Sequence, residues 1–374
     1  MARIAFYAPI KPPDHPIASG DRLIARNTMK ALKQAGYDVY LASEYIAYSK
    51  REEDEFLAMR KQGALQEADR LIKQLWENPP DLWLTYHPYC KAPDWIGPRV
   101  CKEFQIPYVT LEAAKTGQGF ENGQDRWGDW RREAQAGIKT ADLHLVMKGS
   151  DRAYLKELLG SDAKLANLAP FIDTAGFETV AATPMPEHWR ASAPVLVTVG
   201  MMRPGKKHKN YEILRDGLHP LQSLHWNLVI IGDGPERQSI EDMFSAFDAD
   251  RIHWTGALEH RQVLQYLSAA DLFVWPGWKE PIGMVYLEAQ AMGLGIAALD
   301  SMGVPLTVRH GETGLLAPET KIGELSDNLS TLLSHPDLRE DFSVAARKNI
   351  KTHHTIKAAA ATFKTQIDRL LEAR

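Results

Sequence analysis

Short apolar runs alternate with amphipathic stretches along nearly the whole chain, and this rhythm constrains the fold more than any other feature. Arg3–Tyr7, Val39–Ala42, Leu82–Tyr86, Tyr108–Leu111 and Leu143–Met147 read as strands. Between them, Asp21–Ala35, Glu52–Glu77, Trp95–Phe104 and Asp129–Thr140 read as helices. Strand–helix–strand units of this kind build a parallel sheet covered on both faces. The rhythm breaks over residues 167–194, where Pro170, Pro184, Pro186 and Pro194 argue for a linker. It then restarts with strands at Val195–Val199, Leu228–Ile231, Ile252–Thr255, Leu272–Trp275 and Ile296–Leu299. The helices of this half are Tyr211–Gly217, Glu236–Phe247, His260–Leu267, Val285–Met292 and Ile322–Ser334, before a helical tail from Asp337 to Arg374. The expectation is an α/β chain of two Rossmann-like parallel-sheet domains, residues 1–175 and 190–355. In tandem, such domains are expected to face each other across a cleft lined by the carboxyl ends of their strands, where ligands of this fold class bind. That favours an enzyme or a binding protein without saying which.

Composition narrows the field. The 374 residues fit about two domains of roughly 150 residues each. With 44 basic and 48 acidic side chains there is no basic excess of the kind a nucleic-acid binder carries. Cys90 and Cys101 form no CxxC pair, which excludes a zinc knuckle and suits reduced thiols in a cytoplasmic protein. No apolar run reaches the roughly 18 residues of a membrane span, and the N-terminal run is too short for a signal peptide. The expectation is a cytoplasmic protein, at most peripheral at the inner face of a membrane. No metal is expected. Asp248-Ala-Asp250 precedes a strand and reads as a turn, His353-His354 lacks a third ligand, and Gly117-x-Gly119 is a lone turn without a following helix signature.

The segment richest in chemistry is Trp275–Ala298. A buried strand ends in a loop containing Glu280, a helix starts after Gly283, and Glu288 lies about one turn into it. Free N–H groups at a helix start make an anion site, reinforced by the helix dipole. Carboxylates flanking an anion repel it, so Glu280 and Glu288 suit neutral hydroxyls on either side. A nucleotide sugar has that layout. After the strand Val195–Val199, a loop collects Arg203, Lys206, Lys207 and Lys209. It nearly matches a P-loop, but Lys207 stands where Ser or Thr would hold Mg²⁺. Gly20 lies between the first strand and helix, where backbone can approach a phosphate. His87 and Glu112 each follow a strand. Arg22, Arg26, Lys30 and Lys33 fall on one helical stripe that could meet acidic lipid headgroups. Trp127 and Trp130 are candidates for a sugar-stacking platform.

The Glu-x7-Glu pattern in EPIGMVYLEAQAMG resembles the signature of retaining glycosyltransferase family 4, which has the GT-B fold. VIIGDGPERQSIE, HWTGALEHRQVLQYLSAADLFVWP and GVPLTVRHGETGLLAP match that family in order and spacing. The resemblance implies metal-independent transfer of a sugar, with retention, from a UDP- or GDP-sugar to a glycan, lipid or small-molecule hydroxyl. Surface polysaccharide or lipopolysaccharide assembly is a setting that the resemblance suggests. It implies no cofactor, an acceptor bound mainly to the first domain, and a C-terminal helix (356–374) rejoining that domain. Glu280 would contact the donor sugar and Glu288 the ribose. Arg203 and Lys207 would meet the diphosphate, aided by the Gly283 amide and the turn at Gly20. The family's arginine slot directly after Gly200 is Met201 here. Family members commonly place a catalytic histidine where this chain has Glu112. Glu280, His87 and Glu112 are therefore the catalytic candidates, with His87 or Glu112 beside the reacting carbon. The alternatives are a non-catalytic sugar-nucleotide-binding subunit and a GT-B-fold nucleotide-sugar epimerase.

Overall fold

The structure is a computed structural model that describes residues 1–17, 20–114, 120–121, 124–125, 127–189 and 193–373. The turn at Gly117-x-Gly119 lies outside the described residues. The chain divides into two units, Met1–Phe171 with Ile356–Arg374, and Ile172–Thr355.

The first unit runs β1 (Arg3–Tyr7), α1 (Gly20–Gln34), β2 (Asp38–Ser43), α2 (Asp54–Leu75), β3 (Leu82–Tyr86), α3 (Gly97–Phe104) and β4 (Tyr108–Leu111). A short antiparallel pair follows, β5 (Phe120–Glu121) and β6 (Gln124–Asp125), then α4 (Gly128–Lys139), β7 (Leu143–Val146), α5 (Gly149–Leu159) and β8 (Leu165–Asn167). The second unit runs β9 (Val195–Val199), α6 (Lys206–Leu218), β10 (Asn227–Ile231), α7 (Arg237–Met243), β11 (Ile252–Gly256), α8 (His260–Ala269) and β12 (Leu272–Val274). It ends with α9 (Met284–Ala291), β13 (Gly295–Asp300), β14 (Gly314–Pro318), α10 (Glu324–Ser334) and α11 (Pro336–His353), and α12 (Ile356–Glu372) returns to the first unit.

Each unit holds a six-stranded parallel sheet, ordered β2-β1-β3-β4-β7-β8 in the first and β11-β10-β9-β12-β13-β14 in the second. Helices cover such sheets on both faces, so the strands are continuous apolar runs. All five residues of β3 and of β10 are buried. In each sheet the winding reverses once, between β1 and β3 in the first and between β9 and β12 in the second. At a reversal the loops of two adjacent strands leave toward opposite faces and open a crevice at the carboxyl edge.

Helix α12 joins the first unit through Phe363, which is fully buried with its ring edge-on to Phe171 at 6.2 Å. Burial of such a ring contributes about 2–3 kcal/mol. Tyr37 Oη also donates to Asp368 Oδ1 at 2.7 Å.

Four local expectations change. The basic segment after β9 is not a free loop, because α6 begins at Lys206. Residues 172–189 are no open linker, since Phe177 is buried in the core of the second unit and Trp189 Nε1 donates to the Asp250 carbonyl at 2.7 Å. The C-terminal tail is two helices, α11 and α12, broken at His354-Thr355. Helix α5 is not expected from the sequence; it buries only Asp151 and Leu155.

Candidate active site

The second sheet's reversal point is built from the loops after β9 and β12. The first loop is fixed by its neighbour: a Cβ on Gly232 would lie 1.9 Å from the Gly200 carbonyl oxygen, and one on Gly234 2.3 Å from that of Met202. Only glycine permits that approach, which explains the Gly-Asp-Gly after β10. Gly205 caps α6 with φ 81°, and Lys206, Lys207, His208 and Lys209 form its first turn. Each cation there opposes the helix dipole by about 0.3–1 kcal/mol. Acidic partners offset the cost. Lys207 Nζ donates to Glu280 Oε2 at 2.7 Å, His208 Nδ1 lies 3.0 Å from Glu236 Oε2, and Lys209 Nζ donates to Glu212 Oε2 at 2.7 Å. Among the described residues, Arg203 makes no side-chain hydrogen bond or ion pair, and it is exposed.

The second loop carries Glu280 between Trp278 and the cap of α9. Asn210 ties it to α6: its Oδ1 accepts from the Trp278 N–H at 2.7 Å, and its Nδ2 donates to the Trp278 carbonyl at 3.1 Å. Gly283 caps α9 with φ 74°, and a Cβ there would sit 2.5 Å from the Tyr286 ring. Tyr286 is locked in turn, donating from its hydroxyl to the Trp275 carbonyl at 2.9 Å. Burial, and then Glu280, hold that phenol well above its ordinary pKa. Below the loop, Lys207 Nζ also lies 5.4 Å from the centre of the Trp275 ring.

Glu288 faces a different helix start. Its Oε1 is 3.0 Å from Nε2 of His260, the first residue of α8. That hydrogen bond raises the His260 pKa above the ordinary imidazole value. The His260 ring also lies 6.2 Å from the ring of Phe177. Sequence reasoning missed His260, although it closes the HWTGALEH stretch that carries the family resemblance.

The first sheet's reversal point brings together two residues 66 positions apart. Asp21, in the first turn of α1, places Oδ1 3.3 Å from Nδ1 of His87, just after β3. Of the described non-glycine residues with positive φ, His87 (56°) and Glu112 (55°) directly follow adjacent strands. Both use one device. The His87 N–H donates to the Leu111 carbonyl at 2.7 Å and the Glu112 N–H to that of Leu145 at 2.9 Å, extending the ladder before the left-handed residue turns the side chain away. Such strained residues cluster at functional sites.

Glu112 is 2% exposed and paired with Lys148 Nζ at 3.3 Å, which also lies 2.9 Å from Asp151 Oδ2. Burial pulls the Lys148 ammonium down, but Glu112 and Asp151 more than reverse this and hold it above the ordinary lysine range. Burial, with Glu112 adding to it, raises Asp151 despite Lys148.

Gly20 opens α1, exposed and with open space for 4 Å around the point where a methyl group would sit. Arg22 Nη1 donates to the His15 carbonyl at 2.7 Å and Arg26 Nε to that of Pro13 at 2.8 Å, so both arginines of the basic stripe brace the preceding loop. The tryptophan platform is not formed. Trp127 and Trp130 are 7% and 0% exposed and pack edge to face at 5.7 Å in the core, because α4 turns both inward. Asp248-Ala-Asp250 is a turn in which Asp248 Oδ1 accepts from the Asp250 N–H at 3.1 Å. Among the described residues no cluster of three His, Cys, Asp or Glu is arranged to hold a metal ion, and no helix is long and apolar enough to cross a membrane.

The two sheets with their helices define an α/β protein of the GT-B class. HepE from Anabaena, solved in complex with UDP, superposes over 100% of both chains with a TM-score of 0.69 at 15% identity. The family model described as glycosyl transferases group 1 matches residues 187–349, which lie within the second unit. An alpha-D-kanosaminyltransferase of Streptomyces kanamyceticus is 33% identical over 132 residues, 35% of this chain and 34% of the relative. A GDP-mannose-dependent phosphatidylinositol monomannoside mannosyltransferase of Mycolicibacterium smegmatis is 27% identical over 220 residues, 55% of this chain and 57% of the relative. The chain thus spans less than two thirds of the length of these relatives.

Proposed function

We propose that the protein transfers a sugar from a nucleoside diphosphate sugar to an acceptor hydroxyl, with retention at the anomeric carbon and without a required metal. The observation that carries this reading is the Lys207–Glu280 pair at the β9/β12 reversal point: a cation suited to a diphosphate beside a carboxylate suited to sugar hydroxyls, 2.7 Å apart. Breaking the bond from the anomeric carbon to the diphosphate leaves negative charge on the leaving group. Lys207, the uncommitted Arg203 and the amide end of α9 at Gly283 oppose that charge electrostatically. Glu280 orients the sugar and Glu288 the ribose, so that donor binding supplies alignment. Among the described residues we assign no carboxylate as a nucleophile, and we favour same-face attack assisted by the leaving phosphate. The nucleotide-sugar partner agrees with the UDP bound by HepE, and the mannosyltransferase relative uses GDP-mannose. The acceptor side is assigned to the first unit, at His87 and Glu112. The turn at Gly20 is assigned to donor phosphate. Contact with an anionic lipid surface is assigned to the outer ends of Arg22, Arg26, Lys30 and Lys33.

Screening UDP- and GDP-sugars by thermal shift tests the donor assignment, because a bound donor stabilises the fold by mass action. Release of UDP or GDP only when acceptor is present establishes transfer. Conversion of the nucleotide sugar without acceptor indicates an epimerase, and binding without turnover a non-catalytic subunit. Loss of activity in EDTA, restored by Mg²⁺ or Mn²⁺, would overturn the metal-free assignment.

A further inference from the structure

We propose that Ser301 and Glu319 are positioning residues for Glu280, acting through the left-handed backbone of Lys279. This rests on the transferase reading above, in which Glu280 orients the donor sugar. All four residues belong to the second unit, on the loops that follow β12, β13 and β14. Lys279 directly precedes Glu280 and has φ 54°. A residue with a Cβ resists that conformation, because the Cβ crowds the following carbonyl oxygen, so its surroundings must hold it there.

The holding contact is the Lys279 N–H, which donates to Ser301 Oγ at 2.9 Å. Ser301 is 1% exposed, and its hydroxyl donates in turn to Glu319 Oε2 at 2.7 Å. A hydroxyl has one proton, and a carboxylate only accepts. Glu319 therefore draws the Ser301 proton to itself and leaves an Oγ lone pair for the Lys279 amide. The carboxylate directs the hydroxyl, the hydroxyl directs the amide, and the amide sets the turn from which the Glu280 side chain leaves.

The neighbouring backbone is tied as well. The carbonyl of the peptide between Trp278 and Lys279 accepts from Asn210 Nδ2 at 3.1 Å, so Asn210 and Ser301 clamp one peptide plane from its two ends. The Gly303 N–H donates to the Glu280 carbonyl at 3.0 Å, and a Cβ on Gly303 would lie 1.9 Å from the Pro281 carbonyl oxygen. The loop after β13 thus grips the chain just before and just after Glu280. A turn at Lys279 that relaxes would carry the Glu280 carboxylate away from its place beside Lys207, and small misplacements of an orienting group cost rate.

Variants of the full chain test the relay. Ser301→Ala should lower kcat by about tenfold. Its affinity for UDP or GDP should be undiminished, because the bare nucleotide offers no sugar to Glu280. Glu319→Ala should lose rate in the same direction. Glu319→Gln, whose amide oxygen still accepts from Ser301, should restore it. Adding Lys279→Gly to Ser301→Ala should recover most of the lost rate, because glycine adopts a φ of 54° without strain. A packing role for Ser301 would not be rescued there. Hydrogen exchange of the Lys279 amide, followed in the ¹⁵N-lysine-labelled chain and assigned by the signal that Lys279→Gly removes, should speed up in Ser301→Ala and Glu319→Ala but not in Glu319→Gln. Wild-type transfer in Ser301→Ala overturns the proposal. So does a loss of nucleotide affinity as large as the loss of transfer, a double variant that Lys279→Gly does not rescue, or Lys279 exchange that Ser301→Ala leaves unchanged. A wild-type chain that binds neither UDP nor GDP fails the transferase reading instead, and exchange at Lys279 still decides whether Ser301 and Glu319 hold the turn.

Discussion

Lys207 and Glu280, 73 residues apart, hold each other at 2.7 Å. On the proposed reading, a diphosphate would compete with Glu280 for the ammonium, and sugar hydroxyls would compete with Lys207 for the carboxylate. Removing one partner should therefore act oppositely on the two halves of a donor. Glu280→Gln should bind the bare nucleoside diphosphate as well as the wild type or severalfold tighter, while transfer falls by at least about a hundredfold. Lys207→Met should weaken the diphosphate about tenfold, or about 1.4 kcal/mol. Calorimetric titration with UDP and GDP, beside a transfer assay, checks both; diphosphate binding that falls equally in the two variants refutes the exchange.

Two glycines assigned to the donor phosphates should respond differently to alanine. At Gly283 a methyl meets the Tyr286 ring at 2.5 Å on a backbone with φ 74°, and Tyr286 is locked by Trp275. Gly283→Ala should cost about 2–4 kcal/mol and lower the melting temperature by roughly 5–15 °C. At Gly20 a methyl meets open space in the first turn of a helix. Gly20→Ala should leave the melting temperature within about 2 °C, or raise it slightly. Any loss of nucleotide affinity in that variant therefore reports the approach of a ligand rather than damage to the fold. Scanning calorimetry with and without nucleotide separates the two.

The strands were readable because buried parallel strands are unbroken apolar runs, as in Leu82–Tyr86. The start of α6 was not. Its Lys206–Lys209 turn violates the dipole rule, and partners at Glu236 and Glu280 that compensate lie far along the chain. Helix α5 begins at a glycine and buries little, so its periodicity was faint. Glu280 and Glu288 stood out by spacing and motif, but their partners Lys207 and His260 come from different helix starts. Asp21 escaped notice because nothing in the sequence states that His87 turns back through a left-handed backbone. Trp127 and Trp130 misled because a Gly- and Arg-rich neighbourhood suggested exposure that α4 does not allow.

The His260–Glu288 pair predicts a pH effect with a definite sign. The pair raises the His260 pKa when folded, so its stabilisation is fully present below the unfolded value near 6.5 and is lost as pH rises through the folded pKa. His260 is more than half exposed, so the effect is small. The wild type should lose slightly more stability than His260→Gln between pH 6 and pH 8. Paired melts of the two proteins check this, and equal slopes remove the linkage.

His144 carries the opposite sign and a larger effect. It lies fully buried in β7, Nδ1 2.6 Å from the Thr110 hydroxyl, and burial pushes its pKa down to about 4. The unfolded chain binds this proton near pH 6.5 and the folded chain only near pH 4, so stability falls as pH drops through that window. The full depression corresponds to up to about 3 kcal/mol. His144→Asn, which keeps a partner for Thr110 but cannot be charged, should start less stable at pH 7 because it leaves a small void. It should then lose less on acidification, so that its urea midpoint converges with the wild type's near pH 4.5. A constant gap between the two midpoints from pH 7 to pH 4.5 would mean that His144 takes up its proton without unfolding the sheet.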